Sequence, residues 1–320
     1  MERRLGKQEE WETLSHSANT VVMISPDQFG FNAETAETNT FQNQPEKTEQ
    51  VKEEALREFN NMAQALRDHG INVSVLPSRE DVVTPDAVFP NNWFSLHENE
   101  TLVIYPMLAE VRRAERQVDS LISTLSDIGV KPQVIDMSAQ EGEGQILEGT
   151  GSLVLDRVQK IAYAIGSPRT SEDMFYEWCK EMDYEPLFFH AFDKDSNPIY
   201  HTNVILSIGR DFVVICEEAI RDSDEKDKII NSLQKNDRRL ITITLDQVYS
   251  FCGNILELQS SIHGSVVILS STAYNAFTEE QLRQLEEKNT LITVSIPTIE
   301  KIGGGSARCM LAEVFPSKTD

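Results

Sequence analysis

Apolar runs about five residues long, separated by polar turns, alternate along this chain with stretches whose apolar positions fall at helical spacing. Val21-Val22-Met23-Ile24-Ser25 reads as a short buried strand, and a long polar connection from Asp27 to Glu49 follows it. Val51, Ala55, Leu56, Phe59, Met62, Ala63 and Leu66 then share one helical face, Gly70 supplies a stop, and Ile71 to Leu76 alternates as a strand.

From there the pattern repeats. Asn91 to Leu96 and Thr101 to Tyr105 read as a hairpin, with an amphipathic helix from about Leu108 to Leu125 behind it. Gly151 to Leu155 and Ile161 to Ile165 form a second hairpin, with helix from Ser171. Asn203 to Ser207 and Phe212 to Cys216 form a third, with helix around Asp224 to Gln234. Asn254 to Leu258 and Ser265 to Leu269 form a fourth, followed by a helix that Thr278 caps and that runs through Glu287. A short strand follows each helix. A fifth unit begins at Ser306 without a second strand, which the strand at Val21 is placed to supply.

Taking Asn92, Gly151, Asn203, Asn254 and Ser306 as equivalent starts, the intervals are 59, 52, 51 and 52 residues. A near-constant period of this size marks a repeat architecture. Five small sheets, each with its helix, bury all their hydrophobic faces when set radially around a channel. The fold expected is therefore α/β, a five-bladed α/β propeller with pseudo-five-fold ββαβ repeats. The alternative is an irregular α/β domain in which the spacing is coincidence. Residues 1–18 read as a polar lead-in, and 19–320 as a single catalytic domain.

Composition narrows the function. The chain has 320 residues and carries 52 Asp plus Glu against 29 Lys plus Arg, a formal charge of -23 that repels phosphate backbones and anionic membrane surfaces. Neither nucleic acid nor membrane is an expected partner, and with no apolar leader or span-length segment the expected compartment is the cytoplasm. Cys179, Cys216, Cys252 and Cys309 show no CxxC pairing and no metal-ligand spacing with the six histidines, so no metal, disulfide or cofactor is expected. Cys179 and Cys216 read as structural.

A radial arrangement gathers the residues beside the repeat starts. Asp86 lies near the first start, Glu148 three residues before the second, His201 two before the third, and Cys309 three after the fifth, behind Gly303-Gly304-Gly305. Singly, Asp86 and Glu148 read equally as turn formers beside Pro and Gly, His201 as a core histidine and Cys309 as a small core hydrophobe. Their shared placement points instead to a thiol that attacks an electrophilic carbon, carboxylates that hold its nitrogens, and a histidine that moves a proton. Main-chain NH groups after the glycines are candidates to stabilise the tetrahedral centre.

The segments TPDAVFPNNWFS (84 to 95), YPMLAEVRRAER (105 to 116), LEGTGSLVLDR (147 to 157), YHTNVIL (200 to 206), FCGNILEL (251 to 258) and GGGSARCM (303 to 310) resemble the guanidine-modifying superfamily of arginine deiminases, dimethylarginine hydrolases and amidinotransferases, whose fold is the pentein propeller. The FGFN and TAETNTFQ segments between 29 and 42 are most similar to the citrulline utilisation hydrolase group. The resemblance implies Cys309 as nucleophile, His201 as acid and base, and Asp86 with Glu148 as substrate clamp. Phe29, Asn32, Asn203 and Arg113 join them as substrate-binding residues. Arg112, Arg113 and Arg116 are equally read as partners of an α-carboxylate or as a solvated helix face.

Where arginine deiminases place a second carboxylate two residues after the histidine, this chain has Asn203. An amide NH2 suits a neutral ureido oxygen, so the expectation moves from arginine toward citrulline, giving ornithine, ammonia and carbon dioxide. Arginine or methylarginine hydrolysis and amidino transfer are the alternatives of the same chemistry, and a ribosome-binding propeller factor is the alternative without catalysis. A homodimer is the assembly entertained.

Overall fold

A computed structural model of the chain describes residues 17–45 and 50–315. All but the last two residues of the expected lead-in, and residues 46–49 of the long connection, lie outside them.

The described strands form five three-stranded sheets on one plan. In the first, β1 (Thr20–Ile24) lies parallel to β2 (Asn72–Leu76) and antiparallel to the C-terminal β15 (Ala312–Val314), with Val21 opposite Glu313. The strand near the amino end thus completes the sheet begun at the carboxyl end, as the repeat reading expects. The second sheet is β3 (Phe94–Leu96), β4 (Thr101–Ile104) and β5 (Gln133–Asp136). The third is β6 (Leu153–Asp156), β7 (Ile161–Ile165) and β8 (Glu185–Phe189). The fourth is β9 (Leu206–Ile208), β10 (Phe212–Ile215) and β11 (Arg239–Thr242). The fifth is β12 (Leu256–Ser260), β13 (Gly264–Ser270) and β14 (Thr290–Val294). In these four the first two strands pair antiparallel and the third joins parallel after a helical crossover.

Burial follows strand position. The middle strands β1, β4, β7 and β10 are buried at every residue, which is why they read as unbroken apolar runs. The outer strands are short and mix exposed and half-buried positions. Helix Val51–Asp68 buries Val51, Ala55, Phe59, Met62, Ala63 and Leu66, the stripe read from the sequence apart from half-exposed Leu56. Helix Glu279–Glu286 opens on a capping box in which Thr278 and Gln281 satisfy each other's backbone NH.

Two elements depart from expectation, each where the site is built. The repeat starts are not yet strand: one-turn helical segments at Pro90–Asn92, Gly149–Ser152, Thr202–Val204 and Ala307–Met310, and a turn at 251–253, precede the first strands. The helix expected from Leu108 to Leu125 is two helices, Glu110–Arg113 and Val118–Asp127. The break follows from Arg112, which turns inward: its guanidinium donates to the Glu115 carboxylate at 2.9 Å through both Nε and Nη2, and to Asn92 Oδ1 at 2.6 Å. Hydrophobic periodicity cannot register a charge on the buried side. No helix among the described residues is long and apolar enough to cross a membrane.

Candidate active site

The short turns that open the repeats carry the polar side chains, and the structure brings them to one cavity. Asp86, Asn92, Arg112, Arg169, Tyr200, His201 and Cys309 line it, with Gly303 to Gly305 and the strap residues Thr35, Asn39 and Gln42. Cys309 lies in the turn Ala307–Met310, reached through helix Pro297–Gly303 and its cap Gly304, whose φ of 66° suits glycine. Cys309 Sγ lies 3.2 Å from Asn254 Nδ2, 3.5 Å from Asn254 Oδ1 and 3.7 Å from Asn203 Nδ2.

His201 and Glu148 form a buried pair, with 2.9 Å between Nε2 and Oε2. Glu148 Oε2 also lies 3.5 Å from Arg169 Nη1, and its Oε1 accepts from the Leu108 NH at 3.2 Å. Burial alone would raise the Glu148 carboxyl; Arg169, the His201 hydrogen bond and Arg112 outweigh it and hold the value at about 2. Burial takes His201 down to about 4 despite Glu148, so its imidazole is neutral at neutral pH. Because Glu148 can only accept, Nε2 carries the hydrogen and the Nδ1 lone pair is free. Gly151 makes room for that edge of the ring: a Cβ there would stand 2.7 Å from His201 Nδ1.

Asp86 is different. Its Oδ2 accepts from Asn32 Nδ2 at 2.7 Å and from Thr35 Oγ1 at 3.0 Å, while its buried Oδ1 has no partner. Arg112 is matched by Glu115 and Arg169 by Glu148, which leaves Asp86 as the carboxylate lining the cavity that has no ion-pair partner within 4 Å among the described residues. Burial accordingly raises its carboxyl above the ordinary value, against the pull of Arg112 and of the Asn32 and Thr35 bonds.

The other expected site residues are placed as follows. Asn32 reaches the site through Asp86. Asn203 lies against the sulfur, its amide nitrogen donating to Thr150 O at 3.1 Å. Phe29 is buried behind the glycine run, its ring 3.1 Å from where a Gly303 Cβ would be. Arg113 lies apart from the cavity, spending its guanidinium on the carbonyls of Met107 and Leu108 and on Glu141. Arg116 likewise pairs with Glu141, and Arg112 is the one of the three that reaches the cavity. Of the NH groups around the glycine run, Gly304 N is spent on Glu300 O and Cys309 N on Ser306 O.

Sequence reasoning missed Arg169, Tyr200 and Asn254. Arg169 donates to Thr35 O at 2.8 Å and stacks over the Tyr200 ring at 5.0 Å, while Tyr200 OH donates to Gly304 O at 2.9 Å. Asn254 was marked as a repeat start but not as chemistry. The strap crosses the site through Asn39 Nδ2 to Gly304 O at 3.2 Å and Gln42 Nε2 to Gly303 O at 2.9 Å, leaving about 20 Å³ of free space, room for about one water. A second cavity of about 260 Å³ shares Tyr200 and Thr38 with the strap side of the site. Among the described residues no cluster of three or more His, Cys, Asp or Glu could hold a metal.

A family model described as N,N dimethylarginine dimethylhydrolase, eukaryotic, matches residues 25–316. No curated protein sequence matches at a significant level. Among solved structures, the substrate-bound N-terminal domain of ArgZ, an arginine dihydrolase of cyanobacteria, aligns with a TM-score of 0.73 at 14% identity, covering 94% of this chain and 99% of that one. Full-length ArgZ aligns with a TM-score of 0.73 at 15% identity, and there the match spans only 41% of the longer chain. DDAH from Pseudomonas aeruginosa, complexed with citrulline, aligns with a TM-score of 0.64 at 15% identity, covering 93% of this chain and 100% of that one. The arrangement of five small sheets is common to these structures and this chain.

Proposed function

The chain belongs to the eukaryotic N,N-dimethylarginine dimethylhydrolase family, within the pentein superfamily, and is a hydrolase acting on non-peptide C–N bonds of guanidino groups; from that premise we propose that its substrate is an arginine-type amino acid, methylated or not, attacked at the terminal guanidino carbon by Cys309. The observation that carries the substrate class is the unmatched Asp86 carboxylate with its unpartnered, buried Oδ1. A guanidinium brings both the positive charge and the N–H donors that this oxygen lacks; a ureido group brings N–H donors but leaves the charge uncompensated. The argument for citrulline from Asn203 does not carry over, because its amide nitrogen is committed to Thr150 O and the sulfur.

In this reading Asp86 holds the guanidinium so that its central carbon faces Sγ. His201 Nδ1 takes the thiol proton as the C–S bond forms, then delivers it to the departing amine as the C–N bond breaks, leaving a positively charged amidino thioether. Water then attacks that carbon, giving one proton to His201; collapse breaks the C–S bond, the hydroxyl proton returns to sulfur, and His201 releases its proton through solvent to the free amine. Arginine yields citrulline and ammonium, and dimethylarginine yields citrulline and dimethylammonium. Proton transfer of this kind contributes about 100- to 10,000-fold, and fixed attack geometry several kcal/mol more. Glu148 keeps the imidazole in the tautomer with Nδ1 free.

We also take the five sheets to be five blades of one ring. Support comes from bonds between successive starting turns: Thr202 Oγ1 donates to Ser152 O at 2.6 Å, and Asn254 Nδ2 to Asn203 O at 3.1 Å.

The test is turnover of arginine, dimethylarginine and citrulline by wild type and Cys309→Ala, products identified by mass. The variant should fold and lose all turnover, and brief denaturation of the working wild type should trap an adduct on Cys309. An active Cys309→Ala, or wild-type turnover of citrulline alone, would overturn the proposal.

A further inference from the structure

The surroundings of the Cys309 sulfur hold a group to which nothing so far assigns a role. Among the described residues the hydrogen-bond partners of Sγ are two amides, Asn254 and Asn203, and His201 is not one of them. Asn254 is buried, with its nitrogen 3.2 Å and its oxygen 3.5 Å from the sulfur. One Nδ2 hydrogen is fixed by Asn203 O at 3.1 Å, which directs the other at the sulfur. Such an amide meets both protonation states: the thiol donates S–H to Oδ1, and the thiolate accepts from Nδ2. The turn that carries it is closely packed: a Cβ on the preceding Gly253 would stand 2.2 Å from Val204 O.

We propose that Asn254 is a catalytic residue, the N–H donor that stabilises the attacking thiolate of Cys309. This rests on Cys309 being the nucleophile. When the thiol ionises its proton goes to His201 or to solvent, and the negative charge on sulfur is met by the Asn254 N–H, with Asn203 Nδ2 a longer second donor. A hydrogen bond to a charged group outweighs one to a neutral group, so its loss weighs on the ionised sulfur and not on the thiol.

The experiment reads sulfur ionisation without turnover. Alkylation of Cys309 by iodoacetamide is followed against pH in wild type, Asn254→Ala and Asn254→Ser, with Cys309→Ala as background and at reagent concentrations where rate is proportional to reagent. Burial takes Cys179, Cys216 and Cys252 up to about 12, so they stay silent. The midpoint should move about one pH unit to the alkaline side in both variants, a tenfold loss of thiolate at a given pH, with the high-pH plateau kept. A midpoint that does not move in a folded variant would overturn the proposal, whatever its melting temperature, since a residue that only supports the turn alters plateau and melting instead. Should neither variant fold, the wild-type Asn254 side-chain NH2 resonance decides: it must shift as Cys309 titrates, and an invariant resonance sinks the idea. Loss of turnover in Cys309→Ala is scored separately, so failure of the nucleophile assignment and failure of the Asn254 role are distinguishable.

Discussion

Replacing Asp86 by Asn separates charge from shape at the cavity. The side chain keeps its size, and an amide oxygen can still accept from Asn32 and Thr35 at the positions where Oδ2 does so at 2.7 and 3.0 Å. What changes is the other atom: the unpartnered Oδ1 becomes an NH2 that points hydrogens at the hydrogens of a guanidinium. A hydrogen bond to a charged partner contributes about 1.5–3 kcal/mol, so kcat/KM for an arginine-type substrate should fall roughly 10- to 150-fold. Stability should move the other way. Burial raises the Asp86 carboxyl above its ordinary 3.8, so the folded chain holds the proton more tightly than the unfolded one; native stability is greatest below 3.8 and is reduced once pH exceeds the raised value. At pH 7 the Asn variant lacks that penalty and should melt higher than wild type. Steady-state kinetics and scanning calorimetry on one preparation test both halves. A variant that keeps kcat/KM within threefold, or that loses activity while melting lower, would show that Asp86 is a structural carboxylate and not the group that matches substrate charge.

Two further outcomes follow from the same site. Since His201 falls from 6.5 to about 4 on folding, the unfolded chain binds its proton first; stability contributed here is intact above 6.5 and declines as pH drops toward 4, so melting temperature should depend less on pH across that window in His201→Asn than in wild type, and parallel curves would contradict the burial assignment. For the strap, Asn39→Ala and Gln42→Ala each remove one bond to a glycine carbonyl, about 1 kcal/mol, so the closed state should be populated less and Cys309 in the free enzyme should alkylate up to roughly fivefold faster; unchanged alkylation would mean that the strap does not gate the sulfur.

Periodicity carried most of the fold. The helix Val51–Asp68 and the five middle strands were legible because burial on one stripe, or on both faces, leaves a pattern that composition alone enforces. The one-turn helices at the repeat starts were not legible, because three or four residues are too few for any period and their polar side chains are buried by neighbouring turns. Arg169 was hidden, and Arg112 could not be told from Arg113 and Arg116, for a related reason. A buried guanidinium is written in sequence like a solvated one, and only its partners, Glu115 in one case and Glu148 with the Thr35 carbonyl in the other, distinguish them. Arg113 illustrates the converse: adjacent to Arg112 and chemically identical, it turns away from the cavity to Glu141.

The asparagines of the repeat starts explain why a regular frame can hold an irregular site. Thr150 Oγ1 lies 3.4 Å from Asn91 O, Asn203 Nδ2 donates to Thr150 O at 3.1 Å, and Asn254 Nδ2 donates to Asn203 O at 3.1 Å. The second, third and fourth turns therefore each satisfy a backbone carbonyl of the turn before, which a strand cannot do for itself at the point where it begins. An amide suits this work because it carries two hydrogens: one closes the frame, and the second is free to act. At Asn203 and Asn254 that second hydrogen meets the sulfur. The residues that differ among the turns, Asp86, Glu148, His201 and Cys309, are then positioned by a frame that does not depend on them. It follows that substitutions at these four should alter chemistry with the fold retained, whereas a change at Asn203 should disturb both, lowering the melting temperature along with the rate. An Asn203→Ala variant that melts like wild type would break the link between the two.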